Sequence, residues 1–280
     1  MSQKKTQRNS FHSKTVMPRA RKRFGQNFLV DDTVIDGIID AAELSGDDVV
    51  LEIGPGRGAL TERLAREAGR LVAVEIDWDL ASILEDKFQE FDNVTIIRED
   101  ILKLDLDELL GGYKGLKIVA NLPYYITTPI IMKLFESGLD FDRIIVMVQK
   151  EVALRMCATP GSSDYGALSL AVEFYSNPSI IIEVPAHCFR PVPKVDSAVV
   201  RMDSIPHICK EDERANLFKV IKGSFLQRRK TLVNALSSAD ISTKDRIREA
   251  IIKMGLNENI RGEILSLNEF YQLSKEIYKM

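Results

Sequence analysis

The feature that most constrains the fold is a regular alternation of β-rich and helical segments between residues 49 and 149. Short runs rich in valine and isoleucine, each followed by a stretch of helical periodicity, predict βαβ units and a mostly parallel sheet with helices on both faces. The predicted strands are VVLEI (49–53), LVAVEI (71–76), VTII (94–97), LKIVA (116–120) and RIIVMVQ (143–149). Two later runs, SIIIEV (179–184) and SAVVRM (197–202), predict an antiparallel edge on the same sheet.

The β-rich runs end at Ser204, and helical periodicity takes over. Four helices are predicted, at residues 211–222, 228–237, 243–255 and 267–278. Capping-box patterns support two of the helix starts, with Ser242 three residues before Asp245 and Ser266 three residues before Glu269.

A chain of 280 residues fits one large domain and one small domain. The prediction is an α/β protein with a Rossmann-like sheet domain at residues 19–204 and a small all-helical domain at residues 205–280. Residues 1–18 are polar, basic and without periodicity, which predicts a disordered tail.

A glycine-rich loop, EIGPGRG (52–58), follows the first predicted strand and precedes a helix. Gly54, Gly56 and Gly58 allow a tight turn and the close approach of a ligand to the backbone. The GxGxG spacing is a weak signal by itself, because a glycine-rich turn without a ligand has the same pattern.

Two acidic residues strengthen the ligand interpretation. Glu75 ends the second strand, where a carboxylate can bind both hydroxyls of a ribose. Asp100 follows the third strand, where it can accept a hydrogen bond from an adenine amino group. Because the carboxyl ends of parallel strands lie at one edge of the sheet, the loop and both acids predict a pocket for an adenosine-containing cofactor.

Both NAD and S-adenosylmethionine contain adenosine, and the loop favours the second. A dinucleotide needs a helix N-terminus for its pyrophosphate, whereas the negative charge of Glu52 suits a sulfonium or amino group better. A structural role for Glu52, orienting the loop amides, is the alternative.

The segment NLPY (121–124) follows the fourth predicted strand, beside the same pocket. Asn121 offers a side-chain oxygen, and Pro123 fixes a turn that can present the carbonyl of Leu122 as a second acceptor. Tyr124 offers a ring for stacking on a base. Two acceptors beside an aromatic ring suit the exocyclic amine of adenine, and hydrogen bonds there favour transfer of a methyl group to its nitrogen. A strand-ending turn with surface tyrosines is the alternative, and Tyr125 is expected to be a packing residue.

A second aromatic candidate lies in CFRPVPKVDSAVV (188–200). Phe189 can form the other face of a base-binding slot, with Arg190 and Lys194 holding phosphates. A core phenylalanine is the alternative.

Charge is unevenly distributed although the net value is only −3. Eight lysines and arginines precede the first acidic residue, Asp31, and a second basic cluster comprises Arg228, Arg229 and Lys230. These clusters are candidate RNA contacts or solvated surface charges.

The three cysteines and three histidines form no metal-binding spacing, so no metal is expected. Without a secretory apolar segment or a run of about 20 apolar residues, we expect a cytoplasmic protein with no membrane partner.

Many ordered motifs resemble those of the KsgA-type rRNA adenine N6,N6-dimethyltransferases, a family similar to the Erm methyltransferases. The resemblance runs from about Arg21 to Met280. The motifs are RFGQNFLVD (23–31), EIGPGRGALT (52–61), VEID (74–77), EDIL (99–102), NLPYYITTPI (121–130), MVQKEVALRM (147–156), PGSSDYGALS (160–169), FRPVPKVDS (189–197), FLQRRKTL (225–232) and LSLNEF (265–270). QKEVA, YG-LS and the QRRKTL segment are similar to KsgA rather than Erm.

The resemblance implies that S-adenosylmethionine is bound by Asn27, Leu29, Gly54, Glu75, Asp100 and Asn121. It implies that residues 121–124 hold the target amine and that Phe189 stacks on the flipped base. The implied substrate is a pair of neighbouring adenosines in a hairpin loop near the 3′ end of small-subunit (16S) rRNA, dimethylated during late assembly of the 30S subunit. The helical domain and the basic segments would hold the RNA backbone, and a monomer is expected.

Three alternatives remain open on the sequence alone. A ribosome-assembly or transcription factor can keep the fold without the chemistry. An NAD-dependent oxidoreductase can use the same sheet. An Erm-like enzyme would methylate 23S rRNA of the large subunit instead.

Overall fold

The computed structural model describes Pro18 and residues 20–279. Within these residues the strands are β1 (Phe28–Leu29), β2 (Val49–Ile53), β3 (Arg70–Glu75), β4 (Val94–Arg98), β5 (Leu116–Asn121), β6 (Phe141–Gln149), β7 (Ser176–Val184), β8 (Phe189–Arg190) and β9 (Ser197–Ser204). The α-helices are α1 (Asp32–Ala42), α2 (Ala59–Glu67), α3 (Trp78–Phe88), α4 (Leu106–Leu110), α5 (Thr127–Glu136), α6 (Lys150–Met156), α7 (Ala167–Tyr175), α8 (Glu211–Phe225), α9 (Leu232–Ser238), α10 (Lys244–Lys253) and α11 (Leu267–Tyr278). None of these helices has the length and apolarity that crossing a membrane requires.

Seven strands form one sheet in the order β4-β3-β2-β5-β6-β9-β7. Strands β2 to β6 pair in parallel, and β9 runs antiparallel to both β6 and β7. This arrangement confirms the predicted α/β fold, including its antiparallel edge. The strand order reverses direction between β2 and β5, and in open α/β sheets a ligand crevice lies at such a switch point.

Both faces of the sheet are buried, because successive residues of each central strand point to opposite sides. Leu51 and Ile53 of β2 join the larger apolar core, whereas Val50 joins a second core beneath α1 and α2. Burial on both faces explains why the strands are continuous apolar runs rather than alternating ones.

Strand β7 begins three residues earlier than predicted, at Ser176, and includes Pro178. Proline cannot donate a backbone hydrogen bond, but β7 is the last strand of the sheet, where one side needs no partner.

The prediction of a helix at residues 228–237 is wrong at its start. Residues 226–230 form a turn, in which the Lys230 amide donates to the Gln227 carbonyl at 2.9 Å, and α9 begins only at Leu232. The predicted cap of α10 is also displaced by one residue, because Thr243 rather than Ser242 accepts the Arg246 amide. Ser266 and Glu269 do form the predicted capping box of α11.

The helices α8 to α11 pack against one another and share the larger apolar core with the sheet. Tyr165 lies at this junction with no exposed surface, and its hydroxyl donates to the Leu265 carbonyl at 2.9 Å. The domain division at residues 204 and 205 stays a prediction. The predicted disordered tail lies, apart from Pro18, outside the described residues.

Tyr165→Phe should lower the free energy of unfolding by about 1–2 kcal/mol, because the buried Leu265 carbonyl loses its hydrogen-bond donor. Urea unfolding monitored by circular dichroism measures the change, and Tyr125→Phe, at an exposed ring, is the control. Equal stability of the two variants would contradict a structural role for the Tyr165 hydroxyl.

Candidate active site

A cavity of about 760 Å³, counting space open to solvent, lies at the carboxyl edge of β2, β3 and β5. Four stretches line it: residues 24–29, residues 54–60 except Gly58, Glu75 with Ile76, and residues 121–124. We call residues 20–29 the N-terminal strap.

The glycine loop is held in place by the carboxylate of Glu75. Its Oε2 accepts the Gly56 amide at 2.9 Å, and its Oε1 accepts the Asp77 amide at 2.8 Å. Gly54 and Gly56 adopt φ values of 71° and 60°, which favour glycine. Burial raises the pKa of Glu75, while the two backbone amides oppose that rise. Each carboxylate oxygen has a second lone pair, so Glu75 can still accept ribose hydroxyls.

Asn121 ends β5, and its side-chain Nδ2 donates to the Asn27 carbonyl at 3.2 Å. This bond commits the donor end of the amide to the strap, so that Oδ1 is the end left to accept from a ligand. The long separation in sequence, 94 residues, means that the strap must be docked for Asn121 to be oriented this way.

The turn after Asn121 is also held by hydrogen bonds. The Pro123 carbonyl accepts the Ile126 amide and the Thr127 hydroxyl, each at 3.2 Å. Tyr124 is half-buried; its hydroxyl lies 2.7 Å from the buried Ser197 hydroxyl, and burial raises its pKa. The Tyr124 ring is therefore a neutral plate at the wall of the cavity.

Tyr125 is 57% exposed, contrary to its expected packing role. Its ring covers Gly25, where an added Cβ would lie 3.1 Å from the ring.

Most of the predicted cofactor and amine-binding residues are brought together by the fold. Those that line the cavity are Asn27, Leu29, Gly54, Glu75, Asn121, Leu122, Pro123 and Tyr124. Asp100 and Phe189 do not line it.

Asp100 is partly buried and begins a turn, in which its Oδ1 accepts the Leu102 amide at 3.0 Å. Phe189 has no exposed surface and pairs with Leu29 between β8 and β1, within the second core. Phe189 therefore occupies a core position, and stacking on a base requires this segment to move. Its predicted role and that of Asp100 stay predictions.

The five predicted RNA-binding cations are all exposed, and they fall into two groups by whether the side chain is hydrogen-bonded within the described residues. Lys194, Arg229 and Lys230 are not, whereas Arg190 Nη1 donates to the carbonyls of His187 at 2.9 Å and Phe189 at 2.8 Å. Arg228 Nη2 donates to the carbonyls of Ser163 at 2.5 Å and Tyr165 at 2.9 Å. The Arg228 guanidinium also lies 3.6 Å from the Glu263 carboxylate.

Several cavity residues were not predicted from the sequence. Gln26, Phe28, Arg57 and Ile76 all line the cavity. Ile76 directly follows Glu75 at the end of β3, so its position at the cavity could have been predicted from the predicted strand end. The position of Phe28 against Gly56 depends on a contact between distant segments and left no local signal.

The proposed negative charge at Glu52 is not supported. Glu52 points away from the cavity toward α2, is 1% exposed, and burial raises its pKa to about 8. The Thr61 hydroxyl lies beside Glu52 and lowers its pKa, but by less than burial raises it. Neither the Glu52 carboxylate nor the Thr61 hydroxyl has a partner in good hydrogen-bond geometry within the described residues. The carboxyl is therefore mostly neutral at pH 7, and it does not orient the loop amides.

Within Pro18 and residues 20–279, no group of three or more histidine, cysteine or acidic side chains is arranged to hold a metal ion. The polar groups of the cavity are amides, carbonyls, a carboxylate, a phenol and the Arg57 guanidinium, which suit hydrogen bonding to a polar organic ligand.

Comparison with known proteins is consistent with this geometry. The family model for ribosomal RNA adenine dimethylase matches residues 17–279. A curated relative from Lachnoclostridium phytofermentans, ribosomal RNA small subunit methyltransferase A, is 53% identical over 91% of this chain and 90% of its own. The Streptococcus pneumoniae protein of the same name is 48% identical over 91% and 90% of the two chains.

Solved structures with the same fold include a dimethyladenosine transferase from Plasmodium falciparum. It matches with a TM-score of 0.75 and 25% identity, covering 88% of this chain and 95% of its own. The 23S rRNA methyltransferase ErmE matches with a TM-score of 0.70 and 24% identity, covering 90% and 100%, which shows the fold alone.

The buried acid predicts an unusual pH dependence of stability. Glu52 has a pKa near 8 when folded and near 4.5 as an ordinary carboxyl, so the folded state holds a proton that the unfolded state releases between these values. Its contribution to stability is complete below about pH 4.5 and is lost as the pH rises toward 8. Glu52→Gln stays neutral, so its stability relative to the wild type should rise by about 2 kcal/mol between pH 5.5 and 7.5.

Urea unfolding at both pH values measures this difference, with Glu67→Gln, at the exposed end of α2, as the control. A Glu52→Gln variant whose stability changes with pH in parallel with the wild type would show that Glu52 is ionised in the fold.

Proposed function

The chain belongs to the ribosomal RNA adenine dimethylase family, and from that premise we propose that it dimethylates the N6 amino groups of two adjacent adenosines. The proposed substrate is a hairpin loop near the 3′ end of small-subunit (16S) rRNA in the assembling 30S subunit, and the proposed methyl donor is S-adenosylmethionine. The observation that carries the proposal is the amide of Asn121, oriented by the Asn27 carbonyl at the mouth of the cavity.

The cavity fits an adenosyl ligand in its chemistry. Glu75 lies at the end of β3 with free acceptor capacity for ribose hydroxyls, and Ile76 offers an apolar surface next to it. Gly54 and Asn27 contribute backbone polar groups from opposite walls, and Leu29 adds apolar surface. S-adenosylmethionine would supply an activated methyl group there. We keep Asp100 as a proposed contact to the adenine.

The protein's own part in the reaction is to bind and orient the amine. The proposed acceptors are Asn121 Oδ1 and the Leu122 carbonyl, because the Pro123 carbonyl is committed to the turn. Two acceptors on the amine hydrogens draw its lone pair out of conjugation with the ring, and the Tyr124 ring holds the base plane. No titratable base is required at this corner, and the nitrogen releases its proton to solvent after transfer.

The small subunit is favoured as substrate by the curated relatives, whose names specify it at 45–53% identity. The likeness to the 23S rRNA enzyme is weaker in sequence and rests on the fold. A loop suits the chemistry, because unpaired bases can be displaced from the stack at low cost. Family membership gives no support to the NAD-dependent alternative. Only a measurement of methyl transfer distinguishes the proposed enzyme from a non-catalytic assembly factor.

Asn121→Ala should retain cofactor binding but lose most transfer, by about 10²-fold or more, because an acceptor at the developing charge is removed. The measurement is transfer of tritiated methyl groups from S-adenosylmethionine to undermethylated 30S subunits, followed by nucleoside chromatography. A dimethyladenosine peak from the wild type, absent with Asn121→Ala, supports reaction, substrate and site together.

Glu75→Ala is the complementary control. Its main effect should be weaker binding of S-adenosylhomocysteine, measured by calorimetry, rather than a direct loss of methyl transfer. Tight binding of the wild type to 30S subunits without any transfer would favour the assembly-factor alternative. Transfer to isolated 23S rRNA but not to 30S subunits would favour the Erm-like alternative.

The two groups of cations should differ in their effect on RNA binding. Arg229→Ala should reduce the slope of log affinity against log salt by about 0.7, since one phosphate contact is lost, whereas Arg228→Ala should leave the slope unchanged. Fluorescence anisotropy with a labelled small-subunit 3′ hairpin, over a range of KCl concentrations, measures both slopes. Equal losses in the two variants would place the Arg228 guanidinium on RNA instead of on the Ser163 and Tyr165 carbonyls.

A further inference from the structure

The N-terminal strap forms one wall of the cavity along six consecutive residues, 24–29. Its far end is secured by main-chain pairing, because β1 pairs with β8 and the Val30 amide donates to the Cys188 carbonyl at 2.9 Å. Its near end has no strand partner and is held by side chains. The contacts of that near end therefore decide whether this wall stays in place.

Those contacts converge on Asp77, which is only 1% exposed. Arg21 Nη1 donates to Asp77 Oδ1 at 2.8 Å, and Gln26 Nε2 donates to Oδ2 at 3.1 Å. The Arg21 amide donates to Gln26 Oε1 at 2.7 Å, so the two strap residues also brace each other. Arg21 makes a second ion pair, with Asp79. Without Arg21 and Gln26 the buried carboxylate would keep only the Asp79 amide, which donates to Oδ1 at 3.2 Å, so the docked strap is the more stable arrangement.

Asp77 lies next to the groups proposed to bind the cofactor. Its amide donates to Glu75 Oε1 at 2.8 Å, and Glu75 Oε2 accepts the Gly56 amide. On the other wall, Phe28 of the strap packs over Gly56, and Arg57 stacks 4.4 Å from the Phe28 ring centroid. The strap and the glycine loop are thus held by one connected set of hydrogen bonds and contacts.

The strap also reaches the proposed amine-binding corner, since the Asn27 carbonyl accepts Asn121 Nδ2 one residue after Gln26. Displacing the strap would remove the bond that turns Asn121 Oδ1 toward the cavity. Cofactor retention and the orientation of Asn121 are therefore coupled through the same ten residues.

We propose that Arg21 and Gln26 are positioning residues that, by binding the buried carboxylate of Asp77, hold the N-terminal strap over the cofactor cavity and thereby orient Asn121. The inference rests on the proposed function, and it adds two residues that act through Asp77, of which Gln26 also lines the cavity. Their loss acts in two ways: the cofactor leaves faster, and the methyl-transfer step slows even when cofactor is saturating.

The test compares Arg21→Ala and Gln26→Ala with Arg63→Ala as a matched control. Arg63 also pairs with two aspartates, Asp32 and Asp36, at similar exposure, but between α1 and α2 away from the cavity. Stopped-flow fluorescence of Trp78, the one tryptophan of the chain, measures release of S-adenosylhomocysteine, with calorimetry as a label-free check. Transfer to 30S subunits at saturating S-adenosylmethionine gives kcat and the KM for RNA separately.

We expect Arg21→Ala to speed release about tenfold and to lower kcat several-fold at an unchanged KM for RNA, because charge-assisted bonds to a buried carboxylate are lost. Gln26→Ala should have a smaller effect of the same kind, and Arg63→Ala none. Arg21→Lys should restore part of the loss, since an ammonium can donate to Asp77 alone. Hydrogen exchange should speed up in peptides covering residues 20–30 of Arg21→Ala and not elsewhere.

The outcomes separate this inference from the function on which it rests. A wild type that binds no S-adenosylhomocysteine would defeat the proposed function itself. A wild type that binds and methylates, alongside an Arg21→Ala variant with unchanged release and kcat, would overturn only the positioning role. An increased KM for RNA with unchanged release would make Arg21 an RNA contact instead, and a uniform loss of stability in Arg21→Ala with no rescue by lysine would make it merely structural.

Discussion

The carboxylate of Glu75 is the hydrogen-bond acceptor on which the cavity depends. It joins the end of β3 to the glycine loop through Gly56 and to the start of α3 through Asp77. Because it is buried, its bonds are strong and the cost of breaking them is high. Every other wall is placed relative to this group: the loop by its amide, the strap by Asp77, and Asn121 by the strap. A ligand hydroxyl that binds Glu75 therefore meets a group already oriented by the backbone.

The parts of the fold that depend on local pattern were predictable. Seven strands of the main sheet follow from apolar runs between helical segments, since burial on both faces writes a strong signal into the sequence. The glycine loop, Glu75 and Asn121 follow from their positions at strand ends, because the carboxyl ends of parallel strands meet at one edge. The ends of strands and helices were less predictable where contacts with other segments determine them. Strand β7, for example, includes Pro178 because it lies at the edge of the sheet.

The placements that the sequence did not indicate depend on contacts between distant segments. Arg228 had the sequence context of an unbonded helical cation; it is exposed, but it lies in a turn and donates to the Ser163 and Tyr165 carbonyls. Phe189 had the context of an exposed plate, but pairing of β8 with β1 buries it. The predicted negative charge of Glu52 was wrong for a related reason. Its protonation state depends on its burial against α2, which the local sequence does not show. Neither composition nor spacing reports which partner a side chain meets across the fold.

The corner at residues 121–124 has no group that titrates near neutral pH, so its proposed role in catalysis depends on the positions of its acceptors. An amide oxygen and a carbonyl are weak catalysts unless held at the right separation, so their contribution comes from preorganisation. The bond from Asn121 to the Asn27 carbonyl and the contact of Tyr124 with Ser197 provide that rigidity from opposite sides. Since one of these supports belongs to the strap, the wall that encloses the cofactor also aligns the acceptor. Under the proposed function, displacement of the strap would therefore weaken the site for the methyl donor and the site for the base together.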